Sequence, residues 1–160
     1  MTWTKGIPKK PGYYWTKLNE KDIRSFPISP LLWRVWKYDG KLHYTQDGPG
    51  GSYHDMPVPF LKAAKELSVY RPVKFPSKKG GKRFDRMKFK EGYYALFQSE
   101  KEPIVVYASP DWIGKLNRFA VSVNFLYLDQ DLTYGSRYGY RPQEGDSIVH
   151  GLWVPMEVPK

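Results

Sequence analysis

The sequence predicts a mainly β fold of the β-rich α+β type: an antiparallel sheet or small barrels, accompanied by two short helices. Three observations carry this. Aromatic residues make up 17% of the 160-residue chain, and they fall in strand-length runs, where such side chains suit a pleated, half-buried surface. Fourteen glycines and fourteen prolines interrupt nearly every stretch long enough for a helix, which excludes a helical bundle or coiled coil. Alternation of period two recurs, most clearly over Phe119 to Leu128.

The elements follow in order. Tyr13-Tyr14-Trp15 opens the first strand-like run. Leu31 to Tyr38 and Lys41 to Tyr44 flank Asp39-Gly40, and that dipeptide between two such runs predicts a hairpin over Leu31 to Thr45, because both central residues of a type I′ turn need positive φ. Pro59 to Leu67 places Phe60, Leu61, Ala64 and Leu67 on one helical stripe. Tyr93 to Gln98 and Ile104 to Tyr107 read as short strands. Ser109-Pro110-Asp111 offers an N-cap, a first-turn proline and a first-turn acid ahead of a second helix over Trp112 to Leu116. Phe119 to Leu128 reads as one long strand, with Phe119, Val121, Val123, Phe125 and Tyr127 on one face. Ser147 to Val154 reads as the last strand.

Charge divides the chain. Lys62 to Lys90 holds eleven Lys and Arg against Glu66 and Asp85, a net +9, out of +10 for the whole protein. Within it, Ser77 to Arg83 carries no apolar residue and two glycines, the composition of an exposed loop. The expected organisation is an N-terminal β-rich unit over 1–76, a basic linker or loop over 77–90, and a C-terminal β-rich unit over 91–160. The halves echo each other. Gly12-Tyr13-Tyr14 and Gly92-Tyr93-Tyr94 lie 80 residues apart, and each half closes on a proline-flanked apolar stretch, Met56 to Pro59 and Val154 to Pro159. A duplicated β-unit is one reading of this; coincidence in a chain rich in Tyr and Pro is the other.

The opening Lys10-Pro11-Gly12-Tyr13-Tyr14-Trp15, the run Trp33-Arg34-Val35-Trp36 and the tail Leu152 to Pro159 resemble small, uncharacterised accessory proteins encoded by bacteriophages. The resemblance implies an accessory role in a bacterial host cytoplasm. It transfers no site residue.

Catalytic chemistry finds little to work with. The chain has no cysteine, which excludes disulfides, thiolate metal sites and cysteine nucleophiles. A two-His, one-carboxylate metal site can be drawn from His43, His54 and Asp55, but its spacing matches no metal motif; His150 stands alone. The glycine-rich Gly48 to Ser52 lacks the Lys-Ser/Thr ending of a P-loop. Asp129 and Asp131 are two apart, a spacing that also solvates a turn. The expectation is a non-enzymatic protein with no cofactor and no metal, with neither a membrane span nor a signal peptide.

What remains is basic charge interleaved with aromatic rings. Lys and Arg neutralise phosphates, and aromatic faces stack on unpaired bases. One group is Arg71, Lys74, Lys78, Lys79, Lys82, Arg83, Arg86 and Lys88, among Tyr70, Phe75, Phe84 and Phe89; a second is Tyr134, Arg137, Tyr138, Tyr140 and Arg141. These point to nucleic acid or an acidic host protein as partner. The alternatives are an inhibitor that docks on a host or defence protein through the same basic face, and a binder of small anionic nucleotides.

Overall fold

In a computed structural model, the structure describes residues 2–19, 30–47, 55–88, 90–98, 102–110, 119–123, 126–129, 139–140 and 150–160. The chain divides into two compact units: residues 1–74 with the tail 158–160, and residues 75–157. The basic stretch over 77–90 therefore groups with the second unit.

The first unit is a five-stranded antiparallel sheet. Its strands are β1 (Thr4–Lys5), β2 (Gly12–Leu18), β3 (Leu31–Tyr38), β4 (Lys41–Asp47) and β5 (Ser68–Pro72), in the spatial order β1-β5-β2-β3-β4. The β3–β4 hairpin turns at Asp39 (φ 49°) and Gly40 (φ 73°), with Tyr38 opposite Lys41. These are the two left-handed residues that a type I′ turn requires. A helix, α1 (Val58–Leu67), precedes β5 directly. Ile7, Tyr14, Trp33, Val35, Tyr44 and Ala64 form the core, with Leu61 and Tyr70 packed against it. Only part of the expected helical stripe is inside, since Phe60 is 50% and Leu67 38% exposed. Phe60 instead leans on Trp33, ring centres 6.2 Å apart.

The second unit contains β6 (Gly92–Phe97), β7 (Ile104–Pro110), β8 (Phe119–Val123), β9 (Leu126–Asp129), β10 (Gly139–Tyr140) and β11 (Leu152–Pro155), in the order β10-β9-β8-β7-β6-β11. Trp153, on the edge strand β11, is fully buried, against Phe84 (5.8 Å) and Tyr94 (6.4 Å). Among the described residues, no helix is long and apolar enough to cross a membrane.

Several expectations are corrected. Neither sheet closes on itself, so small barrels are excluded: the spatial orders run from one edge strand to another. The outermost pair, β9 with β10, is parallel. The long strand over 119–128 is instead two antiparallel strands, with Val123 opposite Leu126 and Val121 opposite Leu128. That register sets aliphatic residues opposite one another, whereas one continuous strand would put them on opposite faces; alternation alone cannot see the reversal. Ser109 and Pro110, expected at the start of a second helix, lie in a strand. They extend β7, paired with Ala120 and Phe119, at a strand end where the missing proline N–H costs little. Besides α1 the described residues include a 3₁₀ turn, Phe84–Arg86, while Trp112 to Leu116 lies outside them. His150 is helical, so the last strand starts at Leu152.

The two units share one plan. In both, the strand opening with Gly-Tyr-Tyr lies between the unit's last long strand and the next strand of a meander. The registers coincide: Tyr14 faces Pro72 and Trp33, and Tyr94 faces Pro155 and Val106. The residue after each proline donates its N–H to the first tyrosine's carbonyl, Val73 to Tyr13 and Met156 to Tyr93, both 2.9 Å. Each glycine sits at a φ that side chains rarely adopt, 148° at Gly12 and 150° at Gly92. Each second tyrosine closes a corner by donating to a lysine carbonyl four residues back, Tyr14 to Lys10 (3.0 Å) and Tyr94 to Lys90 (2.9 Å). Even the edge repeats. Thr4 pairs with Tyr70, and Lys82 pairs with Trp153, the residue at the matching register.

A candidate nucleic-acid interface

The basic stretch is anchored to the sheet. Lys82 exchanges both backbone hydrogen bonds with Trp153, at 3.1 and 2.7 Å. The turn before it closes from the Gly81 N–H to the Lys78 carbonyl, 3.0 Å, and a Cβ on Gly81 would come within 3.0 Å of the Leu152 side chain. A side chain there would force its neighbours to give way by a few tenths of an ångström. The side chains of Lys78, Lys79, Lys82, Arg83, Arg86 and Lys88 are all exposed on this anchored segment. The Arg83 guanidinium lies 3.4 Å from Nδ1 of His150. Lys74 is exposed just after β5, in the first unit.

Arg71 has a different setting. It lies in β5 with its guanidinium 4.9 Å from the centre of the Trp3 ring, and the Lys17 ammonium is 4.7 Å from that same centre. Cations held over an indole face are attracted by the ring quadrupole. Of the second predicted group, Tyr140 lies in β10 opposite Leu128, whereas Tyr134, Arg137, Tyr138 and Arg141 lie outside the described residues, as do His54, Gly48 to Ser52 and Asp131.

The first unit also carries a feature that charge density along the chain does not reveal. Arg34, Trp36 and Tyr38 alternate along β3 and therefore share one face, with Tyr13 opposite Arg34 and His43 opposite Trp36. Together they form a ladder. The Arg34 guanidinium lies 5.9 Å from the ring centres of both Tyr13 and Trp36. Trp36 stacks on His43 at 5.6 Å and 19°, and Tyr38 meets His43 edge-on at 6.1 Å. Tyr38 is 71% exposed at the outer end, and Lys37 and Lys41 beside it are exposed too.

Asp55 fixes the imidazole. Its Oδ2 lies 2.5 Å from His43 Nδ1, and this hydrogen bond is the largest cause of a His43 pKa above the ordinary value. The geometry keeps the ring oriented and favours its cationic form. Among the described residues, no three His, Asp or Glu side chains gather in a way that could hold a metal. Comparison with protein-family models, curated proteins and solved structures finds no match.

The period-two spacing of Arg34, Trp36 and Tyr38 was the available signal for the ladder. Sequence reasoning that weighs local charge passes over it, because a strand spreads its cations over alternate positions and two chain segments.

Proposed function

We propose that the protein is a non-enzymatic accessory factor, of the kind phages encode, that binds nucleic acid mainly through phosphates. The observation that supports this most is the row of exposed cations on the anchored segment from Lys78 to Lys88. Held on a sheet edge, they present fixed positive charge to a polyanion at a smaller entropic cost than a free loop would.

The test is quantitative. Replacing Lys78, Lys79, Lys82 and Arg83 together with Gln should weaken binding to unrelated sequences alike, and the log–log salt slope should shrink by roughly 0.7 to 0.9 for each phosphate no longer neutralised. Absence of any retention of the wild-type protein on DNA or RNA at low salt would overturn the reading. A second reading, docking onto an acidic host or defence protein, draws on the exposed apolar side chains of α1, Val58 at 66% and Phe60 at 50%, which could anchor a protein interface.

A further inference from the structure

We infer that the ladder Tyr13–Arg34–Trp36–His43–Tyr38 is a stacking platform for unpaired bases, which makes single-stranded nucleic acid the preferred ligand. This inference rests on the nucleic-acid reading above and narrows it to one substrate class and one face of the first unit.

The chemistry of the ladder is what a single strand asks for. Successive planar groups lie 5.6 to 6.1 Å apart, and two of them, Arg34 and His43, carry or readily gain positive charge. Unpaired bases stack on aromatic and guanidinium planes, and every base has a face to offer, so such a row tolerates sequence while rejecting a closed duplex. Lys41, opposite Tyr38 on the ladder face and exposed at the hairpin end, offers a cation to the phosphates of a bound strand.

The second unit supplies an internal control. Its registers place Tyr107 at the position of Arg34, Ser109 at that of Trp36 and Ala120 at that of His43. The same strand plan is thus built with neither cation nor ladder. Tyr107 meets Tyr93 edge-on at 4.8 Å, where the first unit has Arg34 over Tyr13. A row of half-exposed rings and cations is therefore no requirement of the scaffold, and aromatic residues and Arg are the side chains enriched at contact surfaces.

The experiment compares fluorescence anisotropy of the full chain with an oligothymidylate, an oligouridylate and a duplex, the single strands of about 15 nucleotides, within the range of known single-strand sites. Two variants are needed. Trp36→Ser with His43→Ala installs residues that the same register holds in the second unit, and thermal melting confirms that it folds. It should weaken both single strands roughly five- to a hundredfold and change duplex affinity less than about twofold. The four-glutamine variant of the basic segment should weaken all three probes. The two single-stranded arms compare DNA with RNA, which differ here in the 2′-hydroxyl and in the thymine methyl. Equal weakening on single strands and duplex, or none, would overturn the platform while leaving the phosphate reading intact. A wild-type protein that binds none of the probes would overturn both.

Discussion

At the register where the first unit carries Trp15 and Arg71, side by side on β2 and β5, the second carries Ala95 and Val154 on β6 and β11. The corners around these positions are the same: a glycine of positive φ, a tyrosine hydroxyl returned to a lysine carbonyl, and a proline opposite that tyrosine. What differs is what each sheet carries. The second unit is built around Trp153, fully buried, with Ala95, Leu96, Val105 and Val106 close by in the sheet. The first unit buries Tyr14, Trp33 and Val35 on one face and sets Arg34 and Trp36 on the other. The lesson is that backbone geometry here is a property of the Gly-Tyr-Tyr corner and the strand order, and surface chemistry is a separate choice made at alternate positions.

The largest effect expected from this comparison separates two matched core positions. Trp153 and Tyr70 occupy the same register, opposite Leu96 and Thr16, yet Trp153 is fully buried and Tyr70 only half-buried. Trp153→Ala should cost about 3–5 kcal/mol and Tyr70→Ala roughly half as much, measured by denaturant unfolding. Equal costs would mean that the matched register hides different packing.

Next comes the corner itself. Gly12→Ala and Gly92→Ala should each destabilise by about 1–3 kcal/mol, because both force a side chain into a region that glycine alone visits freely. The two costs should match. Tolerance at one site and collapse at the other would break the claim of a shared plan.

The smallest effect belongs to His43. Its pKa is raised in the folded protein by the hydrogen bond to Asp55. The associated stability is therefore fully present below the unfolded value near 6.5 and is lost as pH rises through the higher folded value. NMR titration of the imidazole should give a midpoint above the ordinary one, and Asp55→Asn should bring it back down. A midpoint at or below the ordinary value in the wild-type protein would contradict the pairing.

Much of the fold was legible because its signals are local. Asp39-Gly40 specified a turn that needs two left-handed residues, and the structure has both. Pro59 to Leu67 carried a helical stripe, and α1 covers it. The reversal between Val123 and Leu126 was not legible, because a two-residue connection leaves period-two alternation unbroken on either side. Nor was the role of Lys82. A polar, glycine-rich run looks like a free loop when its partner, Trp153, lies 71 positions further along the chain. Of the site, the exposed cations could be read from composition. The ladder was only partly legible: the spacing of Arg34, Trp36 and Tyr38 and the Asp39-Gly40 turn imply the β3–β4 part, with Trp36 opposite His43, but the pairing of Tyr13 with Arg34 is a register between β2 and β3 that no local pattern states.

The central claim is that one scaffold serves two purposes and that single strands meet the first unit on the ladder face. The most direct measurement follows the indole N–H resonances of the six tryptophans while an oligothymidylate is added to the ¹⁵N-labelled full chain at low salt. Trp36 should shift most, because its ring lies within the ladder, and the fully buried Trp153 should hold its position. Shifts concentrated on Trp153 with Trp36 unmoved would contradict the account.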